Sequence, residues 1–350
     1  MEKIRLARTG LTVSKLGFGS IPIQRLSEDE EAIAVITRCL DSGINFIDSA
    51  NAYSTSERRI GKAIRGRRQG LVLATKSGAR TADLLQEQLE LSLKEFGVDT
   101  IDLYQFHNVS DFDFLAQVLD PKGLMLVLEE AKRAGKIEHI GFSSHNVEVA
   151  KEAVKSERFE TIMFPFNFIV AEPVEELLPL CREHGVDFLA MKPFEGGMLA
   201  NVAVALKYLF QFPDIAVMAG IERVHEIDEI VQVLEGPLQM TEEEKREMQR
   251  LKDELGTKFC RRCDYCQPCP EEIQISWIMQ TPSLMNRLPR ERFVTGRIGA
   301  RLEKALNCTQ CGECEEKCPY HLPIRDMIEE YTSIYKEELG KYQAERALSE

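Results

Sequence analysis

Short apolar runs alternate with amphipathic stretches along the first two thirds of the chain. Between residues 15 and 234 there are eight such runs, and a segment with helical periodicity of about ten to fifteen residues follows each of them. This alternation predicts βαβ units that share a parallel sheet. The runs cover residues 16–20, 45–50, 71–76, 101–107, 139–144, 161–166, 186–193 and 215–220.

The number and composition of the repeats distinguish between two parallel-sheet architectures. Continuous apolar runs such as residues 72–74 are typical of strands buried on both faces. Eight repeats match a closed (β/α)8 barrel better than an open doubly wound sheet. No G-x-G-x-x-G sequence follows any run, which weakens the dinucleotide-binding open-sheet alternative. The predicted fold class is therefore α/β, a TIM barrel.

The segments that flank the repeats complete the predicted domains. A turn at Thr9 and Gly10 predicts an N-terminal hairpin that closes the bottom of the barrel. Thr241 and Glu244 form a capping-box pattern at the start of a last barrel helix, and Gly256 marks its end. We predict a barrel domain over residues 1–256 and a small, mostly helical domain over residues 257–350.

Charge and hydropathy exclude several classes of function. The formal net charge of −13 argues against nucleic-acid binding, which needs clustered basic residues. No apolar run approaches the roughly 20 residues that span a bilayer, so no membrane partner is expected. The N-terminus has scattered charges and no apolar core typical of a signal peptide. We therefore expect a cytoplasmic protein.

The cysteines are concentrated at the C-terminal end of the chain. Eight of the ten cysteines lie between residues 260 and 318, in a protein expected in a reducing compartment, where metal binding is the favoured use. Cys39 and Cys181 fall inside amphipathic helices and are expected to be buried small hydrophobic residues.

The clustered cysteines form two runs, each ending in Cys-Pro. Cys308-x2-Cys311-x2-Cys314-x3-Cys318-Pro has the spacing of a bacterial ferredoxin, in which the fourth cysteine binds the other cluster. The earlier run, Cys260-x2-Cys263-x2-Cys266-x2-Cys269-Pro, supplies the partner set. Two [4Fe-4S] clusters are predicted. The expected ligands are Cys260, Cys263, Cys266 and Cys318 for one cluster, and Cys269, Cys308, Cys311 and Cys314 for the other.

Two structural zinc sites are the alternative interpretation of these cysteines, because zinc also binds paired C-x2-C elements. Such sites normally place two close cysteines on each side of a loop. Here four evenly spaced cysteines precede a proline in each run, which favours iron-sulfur ligation.

Four polar residues at or just after strand ends could together carry proton transfer. Asp48, Lys76 and His107 end the second, third and fourth runs, and Tyr53 follows Asp48 in its loop. A tyrosine with an ordinary pKa of about 10 is a poor acid at neutral pH, but a neighbouring ammonium favours its ionised form. A carboxylate can hold that ammonium, and an imidazole can orient a carbonyl oxygen.

This combination resembles the aldo-keto reductase family over residues 1–255, and the whole chain resembles its ferredoxin-type subfamily. Further similar patterns are Leu16-Gly-Phe-Gly19, Asn51-Ala-Tyr53, Ser56-Glu57 with Ile60-Gly61, Asp99-Thr-Ile-Asp-Leu103, Gly141-Phe-Ser-Ser144 and Met191-Lys-Pro193. The resemblance implies that Tyr53 is the general acid, that Lys76 and Asp48 tune it, that His107 orients the carbonyl, and that NAD(P)H delivers hydride.

The resemblance also implies a set of cofactor-binding positions. They are Ser143, Ser144, Met163, Met191, Lys192, Gly220 and Arg223. Met163 stands where the family usually has a glutamine, and Met191 where an aromatic residue commonly stacks on the nicotinamide. Glu226 falls where an arginine often contacts the 2'-phosphate of NADP, so a strong NADP preference is not expected.

The expected function is an iron-sulfur oxidoreductase that acts on a small-molecule carbonyl or alcohol. Hydride carries two electrons whereas each cluster takes one, so direct coupling needs an adapter such as a flavin, for which the sequence shows no motif. A ferredoxin-like protein is a candidate electron partner. The alternative is an electron-transfer or docking scaffold whose barrel has little reductase turnover; Met163 and Met191 favour it slightly, and the intact tetrad argues against it.

Overall fold

The computed structural model describes residues 1–256, 258–262, 264–318 and 320–349, with side chains described as far as residue 347. The predicted cluster ligand Cys263 therefore lies outside the described residues. None of the helices in those ranges combines the length and the apolar character that spanning a bilayer requires.

The chain divides into two compact units. The first comprises Met1–Glu195 and Leu199–Thr241, and the second comprises Gly196–Met198 and the described residues from Glu242 onward. Helix Glu242–Gly256 thus groups with the second unit, whereas the sequence assigned it to the first domain. The boundary at residue 256 stays a prediction.

The eight predicted apolar runs form a closed parallel barrel, which confirms the predicted fold class. The strands follow one another around the barrel in chain order, and the last pairs with the first. They are β3 (Leu16–Gly19), β4 (Phe46–Asp48), β5 (Val72–Ser77), β6 (Ile101–Phe106), β7 (Ile137–Ser143), β8 (Thr161–Pro165), β9 (Asp187–Met191) and β10 (Ile215–Gly220).

Amphipathic helices cover the outside of the barrel. In the helix that spans Ala82–Phe96, Thr81 accepts the N–H of Leu84 at 3.4 Å, and Gly97 ends the helix at a φ of 67°. The barrel-unit helices are α1 (Asp29–Asp41), α2 (Ser56–Ala63), α3 (Ala82–Phe96), α4 (Phe112–Leu119), α5 (Leu124–Arg133), α6 (Val147–Lys155), α7 (Pro173–Glu176), α8 (Leu178–His184), α9 (Val202–Phe210) and α10 (Val224–Glu235).

The N-terminal hairpin closes one end of the barrel, as predicted. Its strands β1 (Lys3–Arg5) and β2 (Thr12–Ser14) are antiparallel. Leu6 and Val13 of the hairpin belong to the same apolar cluster as the inward-facing Phe46, Val72 and Leu103. This end is therefore filled with apolar side chains.

The alternation of side chains along each strand places polar groups above this apolar layer. On β5, Val72 and Ala74 belong to the interior cluster, so Lys76, two residues further on, points to the same side. On β6, Leu103 belongs to the interior cluster, so Gln105, two residues further on, also points to the inside. The carboxyl end of the barrel therefore carries a layer of buried polar side chains.

The second unit is helical and has a core of its own. Its core includes Ile273, Phe293, Leu302 and Tyr331. The helices are α11 (Glu242–Gly256), α12 (Ile275–Ile278), α13 (Thr281–Arg287), α14 (Arg290–Val294), α15 (Gly296–Ala305), α16 (Glu313–Glu316) and α17 (Ile324–Ser349).

Candidate functional site

Asp48 and Lys76 form a buried ion pair at the carboxyl end of the barrel. The Lys76 Nζ lies 2.5 Å from Asp48 Oδ2 and 2.6 Å from the carbonyl oxygen of Ser49. Both side chains are almost inaccessible to solvent, at 2% for Lys76 and 6% for Asp48. Burial raises the pKa of Asp48, while the Lys76 ammonium opposes that shift.

Tyr53 lies beside this pair, in the loop between β4 and α2. Its backbone N–H donates to the carbonyl of Ala50 at 2.8 Å, and its carbonyl accepts the N–H of Ser56 at 2.9 Å. The Lys76 Nζ is 5.4 Å from the centroid of the Tyr53 ring. The structure therefore brings the predicted acid and its neighbouring ammonium together.

His107 completes the tetrad from the residue after β6. Its backbone N–H donates to the carbonyl of Ser77 at 2.8 Å, which joins it to the end of β5. Its ring centroid is 5.8 Å from that of Tyr53, with the planes at 83°. Burial, with the Lys76 charge as a smaller cause, lowers the pKa of His107 to about 3, so the imidazole is neutral at physiological pH.

Gln105 is a member of this site that the sequence interpretation missed. Its Nε2 donates to Asp48 Oδ1 at 3.1 Å, and the side chain is fully buried. Gly141 on the next strand packs closely here, because a Cβ there would stand 2.0 Å from Thr161 Oγ1 and 3.3 Å from Gln105 Cγ. The available signal was a polar residue two positions before His107 within a buried strand.

Glu57 is a second buried carboxylate close to the tetrad. Thr75 Oγ1 donates to Glu57 Oε1 at 2.5 Å, which links α2 to β5. Burial raises the pKa of Glu57. Tyr53 precedes α2, and Lys76 lies on β5. This contact therefore holds together the two elements that position Tyr53 and Lys76.

Ser143 and Ser144 lie at the end of β7, next to the loop that follows His107. Ser143 Oγ accepts the N–H of Asn108 at 2.9 Å. Ser144 Oγ lies 3.4 Å from Ser110 Oγ and accepts the N–H of Asn146 at 3.2 Å. Both hydroxyls are therefore fixed by the adjoining loops.

Met163 and Met191 belong to the lining of the barrel rather than to its polar layer. Met163 is 2% exposed and is part of the interior apolar cluster, and Met191 packs against the same cluster. Neither offers an amide or an aromatic ring at its strand end.

Lys192 follows β9 in a left-handed conformation with a φ of 62°. Its Nζ lies 3.1 Å from Glu195 Oε1, and both side chains are largely buried. Asn167 Nδ2 donates to the Lys192 carbonyl and to Glu195 Oε2, each at 3.1 Å. Lys192 thus belongs to a polar cluster with Asn167 and Glu195, two residues that the sequence interpretation did not select.

Gly220 and Arg223 lie at the junction of β10 and α10. Gly220 pairs with Gly19 on β3, and a Cβ at Gly220 would meet Pro22 at 3.1 Å. The Glu226 carboxylate accepts the backbone N–H groups of Glu222 at 2.6 Å and of Arg223 at 3.0 Å. A negative side chain therefore occupies this helix N-terminus, while Arg223 is exposed.

The second unit contains two cavities lined by cysteines. The first cavity, with an empty volume of about 370 Å³, is lined by Cys269, Cys308, Cys311 and Cys314, and Cys266 borders it as well. The second cavity, of about 320 Å³, is lined by Cys260, Cys266 and Cys318. Cys266 lines both cavities, and the assignment of the cysteines to two ligand sets stays a prediction.

The side-chain geometry of the described residues also bears on single-ion metal sites. Across the described ranges, no three Cys, His, Asp or Glu side chains converge closely enough to hold a single metal ion. Cys39 and Cys181 lie buried in α1 and α8, as predicted, and burial raises the pKa of each thiol to about 12.

Comparison with known proteins places both units in families. The aldo/keto reductase family matches residues 15–203, and the 4Fe-4S dicluster domain matches residues 259–323. An oxidoreductase of Bacillus subtilis, YqkF, is 31% identical over 215 residues, covering 57% of this chain and 67% of its own. The NADH-specific methylglyoxal reductase of Escherichia coli is 28% identical over 230 residues, and the match covers 57% of this chain and 70% of that protein.

A solved structure agrees with these matches. The holo form of the aldo-keto reductase AKR11C1 from Bacillus halodurans has a TM-score of 0.62 and 29% identity, and the match covers 72% of this chain and 96% of that one. This chain is therefore an oxidoreductase of the aldo/keto reductase family that carries a 4Fe-4S dicluster domain.

Proposed function

We propose that the barrel reduces a small-molecule carbonyl, or oxidises the corresponding alcohol, with a nicotinamide cofactor. The observation that carries this proposal is the position of the Lys76 ammonium, buried against Asp48 and 5.4 Å from the Tyr53 ring. A reduced nicotinamide, when bound, supplies hydride to the carbonyl carbon. Tyr53 then donates the proton that the carbonyl oxygen requires.

The neighbours of Tyr53 suit it to that role. The Lys76 ammonium favours the phenolate that remains after Tyr53 has released its proton. Asp48 holds the ammonium through a 2.5 Å contact, and Gln105 holds Asp48 through a 3.1 Å hydrogen bond. This chain of contacts keeps the charge beside Tyr53 rather than in solvent.

His107 takes a different part, because its pKa of about 3 leaves it neutral under ordinary conditions. A neutral imidazole can donate a hydrogen bond to a carbonyl oxygen, but it is not the proton donor of the reaction. The proposal therefore assigns orientation of the substrate to His107 and proton transfer to Tyr53.

The nicotinamide site is proposed at the same end of the barrel. Ser143, Ser144, Lys192, Gly220 and Arg223 all stand at or just after the carboxyl ends of β7, β9 and β10, where barrel enzymes bind their ligands. Met163 and Met191 would contact the cofactor only with apolar surface. The hydroxyls of Ser143 and Ser144 are the polar groups proposed for the carboxamide.

We expect no strong preference for NADPH over NADH. Glu226 occupies the N-terminus of α10 and repels a 2'-phosphate, and the Lys192 charge is paired with Glu195. Dissociation constants of the anaerobic protein for the two cofactors test this expectation. A tenfold or greater preference for NADPH would contradict this expectation. Arg223 would then be the residue that binds the 2'-phosphate, and Arg223→Gln would abolish the preference.

We further propose two [4Fe-4S] clusters, one in each cysteine-lined cavity. The first cavity would use Cys269, Cys308, Cys311 and Cys314. The second would use Cys260, Cys266 and Cys318 with Cys263. Support comes from the cysteines that line each cavity and from the match to a dicluster domain. Thiolates bind iron-sulfur clusters in a reducing compartment, so the cytoplasm is the proposed location.

Anaerobically prepared protein should contain iron and acid-labile sulfide for two [4Fe-4S] clusters per chain. The reason is that each cavity provides its own set of thiolates. Elemental analysis together with sulfide determination measures this directly. Stoichiometric zinc, or iron for one cluster only, would contradict the proposal.

The coupling between hydride and the clusters needs an adapter that accepts two electrons and passes them on one at a time, and a flavin is proposed for this role. A ferredoxin-like protein is proposed as the one-electron partner of the clusters. Anaerobic protein mixed with NADH and a panel of aldehydes should oxidise the NADH. If the barrel is instead a scaffold with little turnover, NADH should stay unchanged with every aldehyde while dithionite still bleaches the cluster absorbance.

A further inference from the structure

The two cysteine-lined cavities share a wall. Cys266 and Ile275 line both of them. Metal centres held in the two cavities would therefore be neighbours, and an electron could pass between them without leaving the unit. If both clusters are present, as proposed, the electron will reside mainly on the cluster with the higher reduction potential.

The charged residues around the two cavities differ. The first cavity is bordered by Glu271, Glu313 and Arg325. The Arg325 guanidinium donates to Glu315 Oε2 at 2.9 Å, so an adjacent carboxylate offsets its charge. Glu313 is exposed and its carboxylate lies 3.2 Å from Lys317 Nζ, and the Arg325 side chain is 43% exposed, so water and these pairings weaken the charges at the first cavity.

The second cavity is bordered by Arg261 and Asp264. Asp264 is exposed, so water screens its charge, whereas the Nε and Nη1 atoms of Arg261 are buried. The Arg261 guanidinium lies 4.0 Å from the centroid of the Tyr320 ring, and Tyr320 lines the same cavity. This cation–π contact fixes a positive charge in the cavity wall.

The two cysteine motifs make the difference explicit. Arg261 is the residue after the first cysteine of its motif, and Thr309 holds the same place in the other. Each lines the cavity beside its motif. The corresponding position therefore carries a cation in one motif and a neutral hydroxyl in the other.

We propose that Arg261 gives the cluster of the second cavity the higher reduction potential, so that an electron entering the unit comes to rest there. Reduction adds one negative charge to a cluster, and a buried cation nearby stabilises the reduced form. With both clusters bound, one electron would pass from the cluster of the first cavity to that of the second. No bond forms or breaks, and no proton is transferred.

The test is a redox titration of the anaerobic full-length protein with dithionite and mediators, followed by electron paramagnetic resonance. Arg261→Thr should lower the higher of the two midpoint potentials and leave the lower one in place. The expected change is about tenfold in the reduction equilibrium, or about 59 mV for one electron. Arg261→Lys should largely preserve the wild-type value, and Thr309→Arg should raise the other midpoint.

Arg301 provides the matched control. It stacks on Trp277 at 4.6 Å in the same unit but lines neither cavity, so Arg301→Gln should move neither potential. Unchanged midpoints in Arg261→Thr, equal shifts of both, or a fall of the lower midpoint alone would overturn the proposal. If Arg261→Thr loses iron, the midpoint potentials of Arg261→Gln and Thr309→Arg test the proposal instead. Arg261→Gln should then lower the higher midpoint, and Thr309→Arg should raise the other. Fewer than two reducible clusters in the wild type would instead refute the two-cluster proposal.

Discussion

Tyr53→Phe should reduce the rate of carbonyl reduction by roughly 100- to 10,000-fold, which is the usual contribution of a positioned acid. The substitution removes the hydroxyl and keeps the ring that faces Lys76 and His107. The affinity for the nicotinamide should barely change, because the proposed cofactor contacts lie on other strands. Steady-state kinetics and a cofactor titration on the same preparation measure both quantities.

Tyr208 offers a matched control for that substitution. It is a tyrosine of α9 whose ring packs against Phe166 and Phe212, and it is not a member of the tetrad. Tyr208→Phe should leave kcat/KM within a few-fold of the wild type. Full turnover of Tyr53→Phe on every active substrate would mean that Tyr53 is not the acid.

Lys76→Met should damage turnover at least as much as Tyr53→Phe. It removes the ammonium that favours the Tyr53 phenolate and leaves Asp48 buried without its charged partner, although the hydrogen bond from Gln105 remains. Breaking a buried pair in this way costs about 3–5 kcal/mol of stability, less whatever Asp48 recovers by taking up a proton. Denaturant unfolding and single-turnover kinetics measure the two effects separately.

The double variant Asp48→Asn/Lys76→Met separates stability from chemistry. Removing both charges should restore much of the lost stability, because no unpaired charge remains buried. Turnover should stay as low as in Lys76→Met. Recovery of turnover together with stability would show that Lys76 acts only on folding.

The barrel could be predicted because its signal is repeated eight times and each repeat is local. Continuous apolar strands and amphipathic helices are legible within ten to fifteen residues, and closure follows from their number. The helix α3 shows the limit of this approach. Leu84 and Leu91 fit an apolar pattern, yet they are 40% and 42% exposed, because the buried face is defined by Leu85, Leu89 and Phe96.

The candidate site was predictable only in part, for a physical reason. Asp48, Lys76 and His107 end strands, where position alone suggests function. Gln105 lies inside a strand, and its role depends on the pairing of Lys76 with Gln105 across β5 and β6. The cluster of Asn167, Lys192 and Glu195 likewise depends on contacts between distant loops, which no local pattern encodes.

The spacing of the cysteines predicts two ligand sets, and the structure shows two cavities that are lined by cysteines. In two-cluster ferredoxins, each cluster is bound by three thiolates from one short stretch of chain and by a fourth from elsewhere. The two Cys-Pro runs have the spacing that this arrangement requires. The sequence also shows that Arg261 is charged where Thr309 is neutral. The position of that charge in the cavity wall, however, depends on the stacking of Arg261 on Tyr320, which only the structure shows.

The most direct test of the proposed reaction follows the hydride itself. Anaerobic protein is supplied with a reduced nicotinamide that carries deuterium at the transferable position, together with small aldehydes and ketones that include methylglyoxal. We expect deuterium on the carbinol carbon of an alcohol product, formed by the wild type and far more slowly by Tyr53→Phe. Oxidation of the nicotinamide with bleaching of the clusters, but without deuterium in any product, would contradict carbonyl reduction by this barrel.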